Sequence, residues 1–233
     1  PMRAVAFDIR GPMAHFRRPD TVVTHCSYPF ITRTALGGLV CAILGRQELQ
    51  GEHWFGLRIM KPVTTCFQKM SMLGKGWLGG GSTFSRPTAI ELIVNPHYRV
   101  YYCGDDADEL EARVRNQRSV YTTYLGSASC LTFPHLIGTE ELRDMEASGI
   151  VTTYGVVPSF VVDELIIEPG VQYARCNGVR YRHVADRVFE GVIDFIYETS
   201  GRPIRFRPKS PLDENSGIPT KLVSGGSGPL CLW

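Results

Sequence analysis

Two helical segments, each set between stretches of strand-like text, constrain the fold of this chain more than any other feature. Residues 2–9 (MRAVAFDI) alternate and read as a strand, closed by Gly11-Pro12. Thr32 has the side chain to cap a helix. Leu36, Leu39, Val40 and Ile43 then recur at i, i+3, i+4 and i+7, one buried stripe running to about Leu44. Gly45 supplies the stop. Residues 55–66 carry apolar strand text. Residues 88–94 (TAIELIV) and 98–103 (YRVYYC) read as two strands around Asn95-Pro96-His97, in the form of a hairpin-like turn. Residues 105–116 predict a second helix whose acids lead and whose arginines trail, in accord with the helix dipole. Later strands are expected at 156–167 and 188–197. The Pro-, Gly- and Ser-rich tail 201–229 reads as an extended arm. This order is the β-α-β-β-α-β split unit, an α+β, ferredoxin-like sheet. RRM domains and many unrelated proteins share it, so the fold class leaves function open.

Composition removes whole classes of function. With 233 residues, 43% hydrophobic and 21% charged, the chain is globular and long enough to bury a core without staples. No apolar run approaches the ~18 residues of a membrane span, and the first residues do not form a signal peptide. The seven cysteines include no C-x-x-C pair, which excludes a zinc ribbon or a thioredoxin motif. Most lie in apolar text, where a reduced buried thiol is expected, and no N-x-[ST] sequon occurs; both point to a reducing cytoplasm. The net charge of +2 hides a strong polarity. Residues 1–103 carry net +7, residues 104–168 net −8 and residues 169–233 net +3. A basic end can face phosphates while the acidic middle faces solvent or a basic partner.

Gly74-Lys75-Gly76-Trp77-Leu78-Gly79 matches G-x-G-x-x-G in form only, because Gly80-Gly81-Ser82 and Pro87 follow where a phosphate-binding helix must begin. Residues 68–86 read instead as a long, flexible projecting loop between two strands. Lys69, Lys75 and Arg86 supply cations there, and Trp77 and Phe84 supply stacking surfaces, the combination that single-stranded nucleic acid demands. Arg17-Arg18 and Arg33 flank the start of the first helix, where free N–H groups and guanidinium forks make an anion site. Raw material for catalysis is thin. Neighbouring His25 and Cys26 point to opposite sides of an extended chain, no nucleophile or zincin motif occurs, and the histidines lack metal-ligand spacing. A metal-free ribonuclease could still be assembled from Tyr28, His25 and Lys75 as acid, base and cation. No catalytic residue, metal or cofactor is therefore expected.

The motifs Phe16-Arg17, Ser27-Tyr28-Pro29-Phe30-x-x-Arg33-Thr34-x-Leu36-x-Gly38-Leu39 and Ala42-Ile43-Leu44-Gly45 resemble those of a known family. It is the CRISPR-associated Cascade subunit of the RAMP superfamily that caps the 5′ handle of the guide RNA in type I complexes. Glu91-Leu92-Ile93-Val94-Asn95-Pro96-His97-Tyr98-Arg99-Val100-Tyr101 is similar to the family's paired strands, and Tyr124-Leu125-Gly126 with Cys130-Leu131 adds a third block. The resemblance spans residues 2 to about 131. It implies an RRM-like domain, here 2–167 including the 68–86 loop, with a long β-hairpin thumb between its second and third strands. Residues 168–233 then supply additional C-terminal strands and the tail. It also implies that the thumb and first-helix region hold the handle, with Arg17, Arg18, His25, Tyr28, Arg33, Lys69, Lys75, Trp77, Phe84 and Arg86 as RNA-binding residues. The implied partners are guide RNA, the repeating backbone subunit and the large subunit, with target DNA nearby, in a prokaryotic cytoplasm. Most family members are not enzymes. One branch cleaves precursor RNA with a tyrosine and an adjacent Lys-His pair, and this chain contains no Lys-His dipeptide.

Overall fold

The computed structural model of the chain describes residues 1–73, 84–146, 148–186, 188–210, 212 and 217–233. Strand β1 (Met2–Arg10) opens the chain, followed by the two-residue β2 (Met13–Ala14) and helix α1 (Arg33–Leu44). β3 (His53–Ile59), β4 (Thr65–Leu73), β5 (Ser85–Val94) and β6 (His97–Gly104) lead to α2 (Ala107–Arg115). Then come β7 (His135–Asp144), β8 (Val151–Thr153), β9 (Val157–Pro158) and β10 (Val162–Leu165). The long pair β11 (Tyr173–Ala185) and β12 (Val188–Glu198) precedes β13 (Ile204–Pro208), β14 (Lys221–Gly225) and β15 (Gly228–Leu232). The result is an α+β fold dominated by antiparallel sheet.

Helix α1 forms where the sequence pattern places it. The Thr32 hydroxyl accepts the Ala35 N–H at 3.3 Å, and Gly45 ends the helix at φ 75°, a left-handed conformation that costs glycine little. Leu36, Leu39, Val40 and Ile43 are all buried. They face the main sheet, whose order is β15-β14-β7-β1-β6-β3. One side of this sheet sends Val5, Phe7, Ile9, Phe55, Leu57, Val100 and Tyr102 into the large core beneath both helices. The other side sends Ala4, Ala6, Trp54, Tyr101 and Cys103 into a second core with Leu142, Val223, Leu230 and Leu232. The sheet curls until its edges meet: Phe55 on β3 and Trp233, just beyond β15, exchange two backbone hydrogen bonds of 3.0 Å. Gly56 makes the closure possible, because a Cβ there would stand 2.4 Å from the Leu230 side chain.

Three sequence expectations change. The tail is not an extended arm: β13 joins a small sheet with β8 and β10, while β14 and β15 extend the main one. Its prolines and glycines flank short apolar runs such as Leu230-Cys231-Leu232-Trp233, and those runs are buried. Asn95-Pro96-His97 does not close a hairpin either. β5 pairs with β2 and β4, whereas β6 pairs with β1 and β3, so Asn95, at φ 49°, passes the chain from one sheet to another. Alternation reveals the two faces of a strand, not its neighbour. The strand expected at 156–167 is broken into β9 and β10 by a short 3-10 turn, Ser159–Val161, entered from Pro158.

A polar cluster fixes β6 to β1 on the second face. Arg99 donates to both Asp8 oxygens, at 2.8 and 3.1 Å, and His97 Nε2 lies 2.8 Å from Oδ2. Burial pushes the Asp8 carboxyl up, but the hydrogen bonds from Arg99 and His97 outweigh it and hold it below the ordinary 3.8.

Two measurements of stability check this account. Trp233→Ala should cost about 3–5 kcal/mol in urea unfolding, since it empties the seam where the sheet closes. Asp8 stabilises the fold fully above its ordinary pKa and loses that contribution as pH falls through its lowered one. The Asp8→Asn protein should therefore show a shallower loss of stability than wild type as the pH falls below the ordinary carboxylate pKa of 3.8.

Candidate nucleic-acid interface

β4 and β5 pair antiparallel over nine rungs, from Thr65↔Ile93 to Leu73↔Ser85. Every residue of β4 is exposed, whereas β5 buries Thr88, Ile90, Leu92 and Ile93, the last in the large core, so the ribbon projects from the body at its Leu73–Ser85 end. Cross-strand partners share a face and successive residues alternate. Lys69 therefore lies on the face of Phe67 and Leu73, which are 62% and 75% exposed, while Arg86 lies on the opposite face, across from Met72. Phe84 is exposed just before β5. The 68–86 segment is thus less of a loop than its composition implies, because Gln68–Leu73 continue β4 and Ser85–Arg86 open β5. Its period-2 signal is absent because neither face of β4 is covered, and polar and apolar residues serve equally there. Lys75 and Trp77 lie outside the described residues.

Residues 13–28 run back along the foot of this hairpin. β2 pairs with the end of β5, and the His25 backbone bridges to Ala89 and Glu91 at 2.8 and 2.9 Å. The Ser27 N–H donates to the Glu91 carboxylate at 3.0 Å, and His15 Nδ1 lies 2.7 Å from the Glu91 carbonyl. Arg17 and Arg18 lie on this flap. Arg17 reaches the Thr21 carbonyl, and Arg18 pairs with Asp20 at 2.7 Å beside the Tyr28 ring. Tyr28 itself is buried, and its hydroxyl donates to the Gly178 carbonyl at 2.7 Å. That hydrogen bond makes it a strut between the flap and β11, and burial raises its pKa.

Arg33 separates from this group. It opens α1 but turns toward β3 and β11, where its guanidinium lies 4.3 Å from the Tyr181 ring centroid. The single anion site expected at the helix start is therefore divided: Arg17 and Arg18 stand on the hairpin flap, Arg33 under the second hairpin. That second hairpin, β11–β12, holds residues the sequence reading passed over. Arg180 lies over Phe189 at 4.6 Å, His183 packs edge-on to the same ring, and Arg182 pairs with Glu190. The signal was present in the run Arg180-Tyr181-Arg182-His183, cations interleaved with an aromatic ring.

The face of an RRM sheet that stacks bases is filled here by Trp54, Tyr101, Leu230 and Leu232, all buried. Among the described residues, no group of three or more His, Cys, Asp or Glu side chains is placed to hold a metal ion. No helix among them is long and apolar enough to cross a membrane.

Residues 4–64 match the model of a family described as CRISPR-associated protein (Cas_Cas5). No curated protein matches the chain. Among the solved structures that share the fold are the following two. A CRISPR protein from Archaeoglobus fulgidus is 11% identical, with 99% of this chain and 98% of that one covered at a TM-score of 0.55. A chain of a CRISPR RNA-guided surveillance complex is 14% identical, with 84% of this chain and 91% of that one covered at a TM-score of 0.50. The resemblance read from the Phe16–Gly45 motifs thus falls within the segment that matches the family model.

Tyr28→Phe separates a strut from a catalytic group. Loss of the hydroxyl's hydrogen bond to Gly178 should lower stability by about 0.5–1.5 kcal/mol in chemical unfolding, and any RNA affinity of the folded protein should be unchanged.

Proposed function

From the family match over residues 4–64 and the shared fold as premise, we propose that this chain is the guide-RNA-binding subunit of a type I CRISPR Cascade complex. In this reading β7-β1-β6-β3, with α1 between β1 and β3 and α2 between β6 and β7, form a ferredoxin-like, RRM-like unit. The β4–β5 hairpin is the thumb inserted between the second and third strands of that unit. The subunit caps the 5′ handle of the RNA without cutting it. It bridges the backbone and large subunits, with target DNA close by. The observation that carries the reading is the thumb itself: a ribbon with β4 exposed throughout, bearing Lys69 and Arg86 for phosphates and Phe67 and Phe84 for bases. The non-catalytic part is supported by Tyr28, whose hydroxyl is buried and already committed to a carbonyl.

Titration of a repeat-derived RNA against the protein at several salt concentrations tests the binding. Each neutralised phosphate adds about 0.7 to the salt slope for a single strand. The Lys69→Ala/Arg86→Ala protein should lose about 1.4 of that slope and keep its fold. An unchanged slope would remove the thumb from the interface. Precursor RNA incubated with the protein, with and without divalent metal, should run intact on a denaturing gel. Site-specific cleavage abolished by His25→Ala would instead make the protein a metal-independent endoribonuclease.

A further inference from the structure

Arg33 is the most anomalous charge in the molecule. It is 8% exposed, yet no carboxylate lies within 4.0 Å of it among the described residues. Its guanidinium is held between the Tyr181 and Phe55 rings, at 4.3 and 5.8 Å. Nη1 and Nη2 reach only the Tyr181 and His53 carbonyls, each at a long 3.4 Å, and the buried Nε–H donates to nothing. Aromatic faces satisfy the flat sides of a guanidinium and leave its N–H edge unmet. Arg33 is also the first residue of α1, at the positive end of a helix with no acid in its first turn. A desolvated cation beside a positive helix end is costly unless an anion joins it.

Space for that anion adjoins the arginine. A cleft of about 390 Å³ is lined by Arg33, His53 and Trp54 on one side and by Tyr181, Arg182 and Gly191 on the other. Its two rim carboxylates, Glu52 and Glu190, are well exposed and are paired with Lys221 and Arg182. We propose that this cleft, between the start of α1, β3 and the β11–β12 hairpin, binds one phosphate group of single-stranded RNA. Arg33 supplies the buried fork and Arg182 the outer charge. The second hairpin is then an RNA-binding element in its own right, and the strand is gripped at two places, thumb and cleft. The identity of the RNA rests on the function proposed above; the anion site does not. Burial and the nearby Arg182 both push the Arg33 pKa down, as expected of a cation that lacks its counter-ion.

Arg33→Met tests this without emptying the core, since Met keeps the length and apolar stem. Wild-type protein should gain thermal stability from inorganic phosphate beyond that from sodium chloride at equal ionic strength, and the variant should not. The variant should be at least as stable as wild type without phosphate, because an unpaired buried charge has gone. Its affinity for repeat-derived RNA should fall about tenfold or more. Arg182→Ala, at an exposed position, should weaken the same binding and leave the fold intact. Phosphate stabilisation that survives Arg33→Met, or RNA affinity unchanged in both variants, would overturn the site. Phosphate stabilisation lost in the variant, in a wild-type protein that binds no repeat RNA, would keep the anion site and overturn the guide-RNA reading instead.

Discussion

The reciprocal pair of backbone hydrogen bonds between Phe55 and Trp233 is the constraint on which the rest of the architecture depends. It joins β3 to the residue that follows β15 and turns an open sheet into one whose two edges meet. Closure places Trp233 in the large core against Phe195, and Leu230 and Leu232 in the second core over Gly56. A sheet with open edges would invite pairing with other chains. Here the same polar edge groups are spent inside the molecule.

That closure also decides where ligands can go. In an RRM the aromatic face of the sheet is the binding surface. Here the corresponding face is packed with the chain's own leucines and is closed to a base. The exposed cations and rings lie instead on the β4–β5 and β11–β12 hairpins, with the flap carrying Arg17, Arg18 and Tyr28 between them. Tyr28 ties flap to second hairpin through Gly178, and Phe30 packs edge-on against Phe195 and Tyr197 of β12. The groups that would face RNA are therefore mounted on packed aromatic supports.

Much of this was legible in the sequence, for identifiable reasons. α1 was readable to the residue because its cap, stripe and stop are local signals: Thr32, Leu36 to Ile43, and Gly45. α2 was readable from its charge order. The partners of β5 and β6 were not, because pairing is a long-range choice that alternation does not encode. The paired ends of the β4–β5 hairpin hid for the opposite reason: uncovered strands have no hydrophobic face to reveal them. Of the site residues, Arg17 and Arg18 lie together as read, while Arg33 was placed with them because all three flank one helix start. The turn of its side chain toward Tyr181 depends on a hairpin about 150 residues away, which local pattern could not supply. The Arg180–His183 run was visible, but it falls between the strands expected at 156–167 and 188–197, where no element was expected.

The closed sheet has a consequence in time as well as in space. Residue 55 finds its partner only when residue 233 is available, so the seam closes across about 180 residues of chain. Such contacts are slow to form, because loop-closure entropy must be met before they reward it. During synthesis, Trp54, Tyr101 and the free edge of β3 wait uncovered until β14 and β15 have been made. β14 and β15 therefore govern when these surfaces stop being prone to aggregate.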